Sequence, residues 1–68
     1  MATQIKSQSG NNNVYTITDE LGITATVTVG FVTAGSGRNT TIATTGLHDD
    51  GVQMLSNLLI QVASGVQP

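Results

Sequence analysis

The sequence has 68 residues and a mass of 7.0 kDa, which is enough for one small domain. It contains no Cys, so neither a disulfide nor thiolate chemistry is available. Only 9% of the residues are charged, against about 25% in an ordinary soluble domain, and the net charge is −2. Two cations, Lys6 and Arg38, are too few to bind a nucleic-acid backbone or an anionic membrane surface. No apolar run reaches the about 20 residues of a membrane span, so we expect neither nucleic acid nor a membrane as partner.

The first predicted element is a short strand over 3–7, in which Ile5 should point inward. A polar turn is predicted over 8–13, since Gly and Asn tolerate the positive φ angles that turns require.

The clearest local pattern is a hairpin of two strands over 14–18 and 23–32, which alternate between apolar and polar residues. Asp19 and Gly22 occupy the first and fourth positions of the connection, which predicts a three-residue loop ending in a Gly bulge. That loop pairs Ile17 with Ala25 and Tyr15 with Val27, so the apolar strand residues from Tyr15 to Val27 share one face.

A loop over 34–39 and a short fourth strand over 40–44 should follow the hairpin. The spacing of the apolar residues then changes to that of a helix, which is predicted over 47–64. Thr44 or Thr45 should be its N-cap, and Asp49 and Asp50 in the first turn should complement the helix dipole. Gly65 should end the helix. Its apolar stripe is predicted to consist of Val52, Leu55, Leu58, Leu59 and Val62.

Together these elements predict one α+β domain, a three- or four-stranded antiparallel β-meander covered on one face by a single C-terminal α-helix. The other face of the sheet then lacks charge and carries a row of threonines. These are Thr16, Thr18, Thr24, Thr26 and Thr28. Threonine is common on solvated strands, but charges usually protect such surfaces from neighbours, so the row also fits a docking surface.

Two further residues are predicted to contact a protein partner. Ile60 lies on the helix face opposite Leu55 and Val62, where a single exposed Ile is also ordinary. Arg38 is a cation on an anionic protein and is suited to a salt bridge with a partner.

The only cluster of catalytic residue types is His48, Asp49 and Asp50, which could form a metal site or a histidine base. Helix capping already explains both aspartates, and no Ser or Cys motif surrounds the histidine. The segment 35–39 could cradle an anion, but it lacks the ending of a P-loop. We therefore expect no enzyme activity, no cofactor, no metal and no small-molecule substrate.

The chain resembles small structural proteins of tailed-phage virions, such as minor capsid and decoration subunits. The resemblance lies in the Thr-rich strand over 23–29, the three asparagines at 11–13 and the scarcity of Lys and Glu. It implies a non-enzymatic subunit, present in many copies on a shell or tube, that binds other protein subunits and forms a homo-oligomer.

A different interpretation remains open, in which the chain is a small intracellular binding module or inhibitor acting as a monomer or dimer. The first residues lack the apolar core of a signal peptide, so we expect synthesis in a cytoplasm and residence there or in a virion.

Overall fold

A computed structural model describes residues 1–32 and 37–68 and shows a four-stranded antiparallel sheet with one C-terminal helix. The predicted α+β arrangement is confirmed. The strands lie in the order β1-β2-β3-β4. Their bounds are Thr3–Ser9 for β1, Asn12–Thr18 for β2, Thr24–Val29 for β3 and Thr40–Thr44 for β4, and helix α1 covers Asp49–Ala63.

The hairpin between β2 and β3 has the predicted register. Ile17 pairs with Ala25 and Tyr15 pairs with Val27. The Asp19 N–H donates to the carbonyl of Ile23 at 2.9 Å, and the loop closes with Gly22 at a φ of 87°. That left-handed angle favours glycine and produces the bulge that keeps Tyr15, Ile17, Ala25 and Val27 on one face.

The prediction that Ile5 points inward is wrong. A two-residue loop of Gly10 and Asn11 joins β1 to β2, so that Ser9 pairs with Asn12 and both strands are longer than predicted. Gly10 has a φ of 61°, as the first residue of a tight two-residue hairpin loop requires. This register pairs Ile5 with Thr16, on the face away from the helix, and leaves Ile5 67% exposed.

Strand β3 is shorter than predicted, because the pairing with β4 ends as the chain reaches Gly30. The Gly30 N–H donates to the Asn39 carbonyl at 2.8 Å, and Phe31 and Val32 lie beyond the strand and are exposed. The fourth strand is confirmed and pairs with β3 along its whole length. Of the predicted loop over 34–39, residues 34–36 lie outside the described residues.

The helix begins later than predicted, and four of the five residues of its predicted apolar stripe are buried or half-buried, namely Leu55, Leu58, Leu59 and Val62. Its N-cap is His48, because Thr44 still belongs to β4, so a cap at Thr44 or Thr45 is wrong. Val52 is 45% exposed, whereas Gly51 is buried and packs directly against the hairpin loop. The two acidic residues of the first turn are where the sequence placed them.

The core is a single layer of side chains between the sheet and the helix. Its buried members are Tyr15, Ile17, Ala25, Val27, Val29 and Leu58, and Leu47, Met54, Leu55 and Val62 pack against them. The helix ends as predicted, since the N–H groups of Gly65 and Val66 donate to the carbonyls of Val62 and Gln61. This pair of bonds is the Schellman arrangement, which satisfies the last carbonyls of a helix.

Candidate functional site

A buried polar site lies where the hairpin loop meets the start of the helix. Its centre is Asp19, whose side chain is fully buried. One carboxylate oxygen accepts the N–H groups of Leu21 and Ile23 at 2.9 Å each. The other accepts the backbone N–H of His48 at 2.8 Å and lies 2.7 Å from Nδ1 of the same histidine. We call Asp19 and His48, with these bonds, the loop–helix junction.

The hydrogen bonds of the junction shift the pKa values of Asp19 and His48 in opposite directions. Burial alone would raise the pKa of Asp19, but the N–H groups of His48, Ile23 and Leu21 and the His48 ring hold that pKa far below its usual range. The hydrogen bond to the Asp19 carboxylate raises the pKa of His48 above 6.5, against the opposing effect of partial burial. The negative charges of Asp19, Asp50 and Glu20 also raise the pKa of His48.

The cluster of His48, Asp49 and Asp50 is divided among different contacts. His48 binds Asp19, while Asp50 accepts the Glu20 N–H at 2.9 Å and lies 4.0 Å from the amino group of Met1. Within residues 1–32 and 37–68, no three His, Cys, Asp or Glu side chains are placed to hold a metal ion. The contacts of Asp19 and Asp50 join the hairpin to the helix, which is a structural role.

Because of the two groups of the loop–helix junction, we expect the free energy of unfolding to be greatest between about pH 4 and pH 6.5. Asp19 has a lowered pKa in the folded state, so its contribution is present above the ordinary value of 3.8 and is lost as the pH falls. His48 has a raised pKa, so its contribution is complete below the ordinary value of 6.5 and is lost as the pH rises through the folded value. Urea unfolding between pH 3 and pH 9 measures the loss of stability on both the acidic and the alkaline side of this maximum.

The variant His48→Gln serves as the control for the loss of stability on the alkaline side. It keeps the backbone N–H that donates to Asp19 and removes the titrating ring, so its stability should no longer fall as the pH rises above about 6.5. If His48→Gln and the original protein lose stability equally above that pH, the assignment to His48 is wrong.

The face of the sheet turned away from the helix is an uncharged surface, which we call the outer face. The strand registers place thirteen residues on it. They are Thr3, Ile5, Ser7, Ser9, Asn12, Val14, Thr16, Thr18, Thr24, Thr26, Thr28, Thr41 and Ala43. The structure thus brings together all five threonines singled out from the sequence and adds the exposed Ile5. Thr24 and Thr26 are exposed, while Thr16, Thr18 and Thr28 are half-buried by their neighbours.

Arg38 is not on the outer face. Its Nη1 donates to the carbonyl of Gly30 at 2.6 Å, and the residue is half-buried beside Thr40, Leu59 and Val62. The guanidinium therefore holds the end of β3 to the start of β4. A salt bridge from Arg38 to a partner remains a prediction.

Ile60 lies on the solvent side of the helix and is 64% exposed, as its position opposite the apolar stripe predicted. It is far from the outer face, because the helix and the outer face are on opposite sides of the sheet. Contact between Ile60 and a partner remains a prediction.

Sequence reasoning missed two residues of these surfaces. Asp19 is predicted only as the first residue of the hairpin connection, although the alternation of Tyr15 and Ile17 already places position 19 on the core side. Hydrophobicity alone assigns Ile5 to the core, because Ile5 is the one large apolar residue of β1, whereas the pairing of Ser7 with Val14 places Ile5 opposite Thr16 on the outer face. The Gly–Asn pair at positions 10 and 11 was the signal for a two-residue loop.

None of the comparisons with protein-family models, curated proteins and solved structures returns a match to this chain. Among the described residues, α1 is the only helix, and it is too short and too polar to cross a membrane.

Proposed function

We propose that this protein is a non-enzymatic structural subunit of a larger assembly, of the minor capsid or decoration type found in tailed-phage virions, and that it resides in the virion. The observation that supports this proposal best is the outer face, where no strand residue is charged. Soluble monomers usually intersperse charges over such a surface, because charges oppose association. A face without them is suited to contact with another protein surface.

The size of the outer face fits a repeated contact better than a single tight one. Four strands spaced about 4.8 Å apart and about 20 Å long present roughly 400 Å². A stable pairwise complex buries about 800 Å² on each partner, so the outer face alone would bind weakly. Weak contacts are sufficient in a lattice, because each subunit is held by several of them at once.

The test is the mass of the purified protein in solution, measured by light scattering over a wide range of concentration. We expect a mass that rises above 7.0 kDa as the concentration increases. The variant Thr26→Lys should weaken this association at least tenfold, because a lysine on the outer face would be buried without a partner. Thr26 is exposed, so the variant should fold normally.

The matched control is Ser56→Lys, which adds the same charge at an exposed position of the helix. It should change the association less than twofold. Equal effects of the two variants would overturn the assignment of the outer face. A 7.0 kDa monomer at every concentration would overturn the assembly itself and favour the binding module or inhibitor.

A further inference from the structure

The two edges of the sheet are β1 and β4, and they differ in how they are protected. No strand within residues 1–32 and 37–68 pairs with the outer side of β4, and all five of its residues are exposed. Strand β4 contains no charge, no proline and no bulge. Natural sheets usually protect an edge with one of these features, so β4 is open to pairing with another strand.

The hydrogen-bond pattern shows which peptide groups of β4 are free. The Gly30 N–H donates to Asn39, and hydrogen-bonded pairs alternate along an antiparallel ladder. The peptide groups of Thr41 and Ala43 therefore bond to β3. The hydrogen bond between Asp19 and Ile23 in the neighbouring hairpin starts the same alternation and gives the same assignment. The peptide groups that point away from the sheet are those of Thr40, Ile42 and Thr44.

We propose that β4 pairs with β4 of a second copy of this chain, antiparallel, about a two-fold axis that passes beside Ile42. Each Ile42 then pairs with Ile42 of the other copy, and Thr40 pairs with Thr44. These are the residues with free peptide groups, so both N–H···O bonds form in every such pair. The result is one continuous eight-stranded sheet with both helices on the same side.

The charges favour β4 over β1 for this contact. The same alternation leaves the peptide groups of Gln4, Lys6 and Gln8 free on β1, with Lys6 at the centre of the strand. A symmetric pairing of two β1 strands at their centres would place the two Lys6 side chains opposite each other, and like charges in that position are destabilising. Two β4 strands bring together only neutral residues.

The apolar surface near β4 favours the same partner. Helix α1 packs mainly over β1 and β2, so the helix side of β4 is left open and Ile42 is 44% exposed. In the symmetric pair the two Ile42 side chains become direct cross-strand neighbours and cover each other, which stabilises a sheet. A second copy supplies this contact without any other partner.

The pairing also enlarges the outer face, and this consequence rests on the proposed function. A two-fold axis perpendicular to the sheet keeps both outer faces on one side. They form a surface of roughly 800 Å², the amount that a stable complex buries on each partner. The edge pairing itself does not depend on what that surface binds.

Amide hydrogen exchange followed by NMR at low and high protein concentration tests the pairing directly. At high concentration the amides of Thr40, Ile42 and Thr44 should become protected at least tenfold. The amides of Thr41 and Ala43 bond to β3 in either state and serve as the internal control. Rapid exchange of the first three at every concentration would overturn the proposal.

Two double variants test the register with the same two exposed positions. In Thr40→Lys/Thr44→Lys, both cross-copy pairs place like charges opposite each other, so dimerisation should weaken about tenfold. In Thr40→Lys/Thr44→Glu, both pairs are attractive, and dimerisation should equal or exceed that of the original protein. Equal dimerisation by the two variants would overturn the symmetric register.

The single variant Ile42→Lys separates this proposal from the outer face. It should abolish the dimer while leaving the contact made by the outer face, whereas Thr26→Lys should leave the dimer intact. If only Thr26→Lys reduces the mass in solution, the edge pairing is overturned and the proposed function stands. If only Ile42→Lys does, the edge pairing stands and the outer face is overturned. Protection of β1 amides together with β4 would show head-to-tail pairing of unlike edges and would overturn the symmetric dimer.

Discussion

Replacement of Asp19 by asparagine is expected to lower the melting temperature by about 10–20 °C, a large loss for a domain of this size. The Asp19 side chain is fully buried, and its two oxygens accept four N–H groups from Leu21, Ile23 and His48. Asparagine has one accepting oxygen and an NH₂ group in place of the other. That NH₂ group would face N–H donors, leaving buried groups without partners and removing the negative charge that they surround.

The control is Asp49→Asn, which removes the same charge from an exposed position in the first turn of the helix. Its effect should be only a few degrees, since an exposed acid there interacts weakly with the helix dipole. Thermal unfolding followed by circular dichroism measures both variants. Equal losses for Asp19→Asn and Asp49→Asn would contradict the role assigned to the loop–helix junction.

The hairpin of β2 and β3 was predictable because turn chemistry and side-chain alternation agree there. Asp19 and Gly22 fix a three-residue loop, and this loop places Tyr15, Ile17, Ala25 and Val27 on one face. A shift of one residue would move that whole set to the other face, so the register is strongly determined. The fold class follows from this hairpin and from the change of period before the helix.

Hydrophobicity could not predict which residues of β1 face the core, because the single large apolar residue of this strand points away from it. Ile5 lies on the outer face, and the positions that face the helix are Gln4 and Lys6. The pattern of apolar residues is therefore opposite to the true orientation of the strand. Only the geometry of the loop at Gly10 and Asn11 determines it, and that loop has to be recognised before the strand can be placed.

The loop–helix junction was hidden from sequence for a different reason. Asp19 and His48 are 29 residues apart, and their contact forms only when the helix folds back over the sheet. In the sequence, His48 stands next to Asp49 and Asp50, which suggests a local cluster. The structure gives His48 a distant partner instead, because the N-cap of the helix lies against the hairpin loop.

The placement of the few charges connects the stability of the chain with its proposed role. His48, Asp50 and Glu20 gather with Asp19 at one end of the molecule, where the hairpin meets the helix. None of them lies on the outer face or on the edge of β4. Electrostatic stabilisation at one end therefore leaves the sheet free of charge where the proposed contacts with other subunits form.

Gly51 is the position in the helix where a larger side chain should have the greatest effect. A Cβ atom there would lie 2.7 Å from Cγ of Leu47, closer than packed carbon atoms allow, and 3.0 Å from Cβ of Asp19, which is a tight contact. We expect Gly51→Ala to lower the free energy of unfolding by about 1–2 kcal/mol, although alanine in a helix interior normally stabilises by up to about 1 kcal/mol. Gly51→Val adds two more carbon atoms and should cost about 3 kcal/mol.

Urea unfolding of this series is informative when Ser56→Ala is measured beside it. Ser56 is an exposed helix residue, so alanine there should add a few tenths of a kcal/mol through helix propensity alone. Opposite signs for Gly51→Ala and Ser56→Ala would show that contact with Leu47 and Asp19, rather than helix propensity, determines the residue at position 51. A stabilising Gly51→Ala would mean that the Leu47 side chain can move aside without net loss, and helix propensity would then determine the residue at position 51.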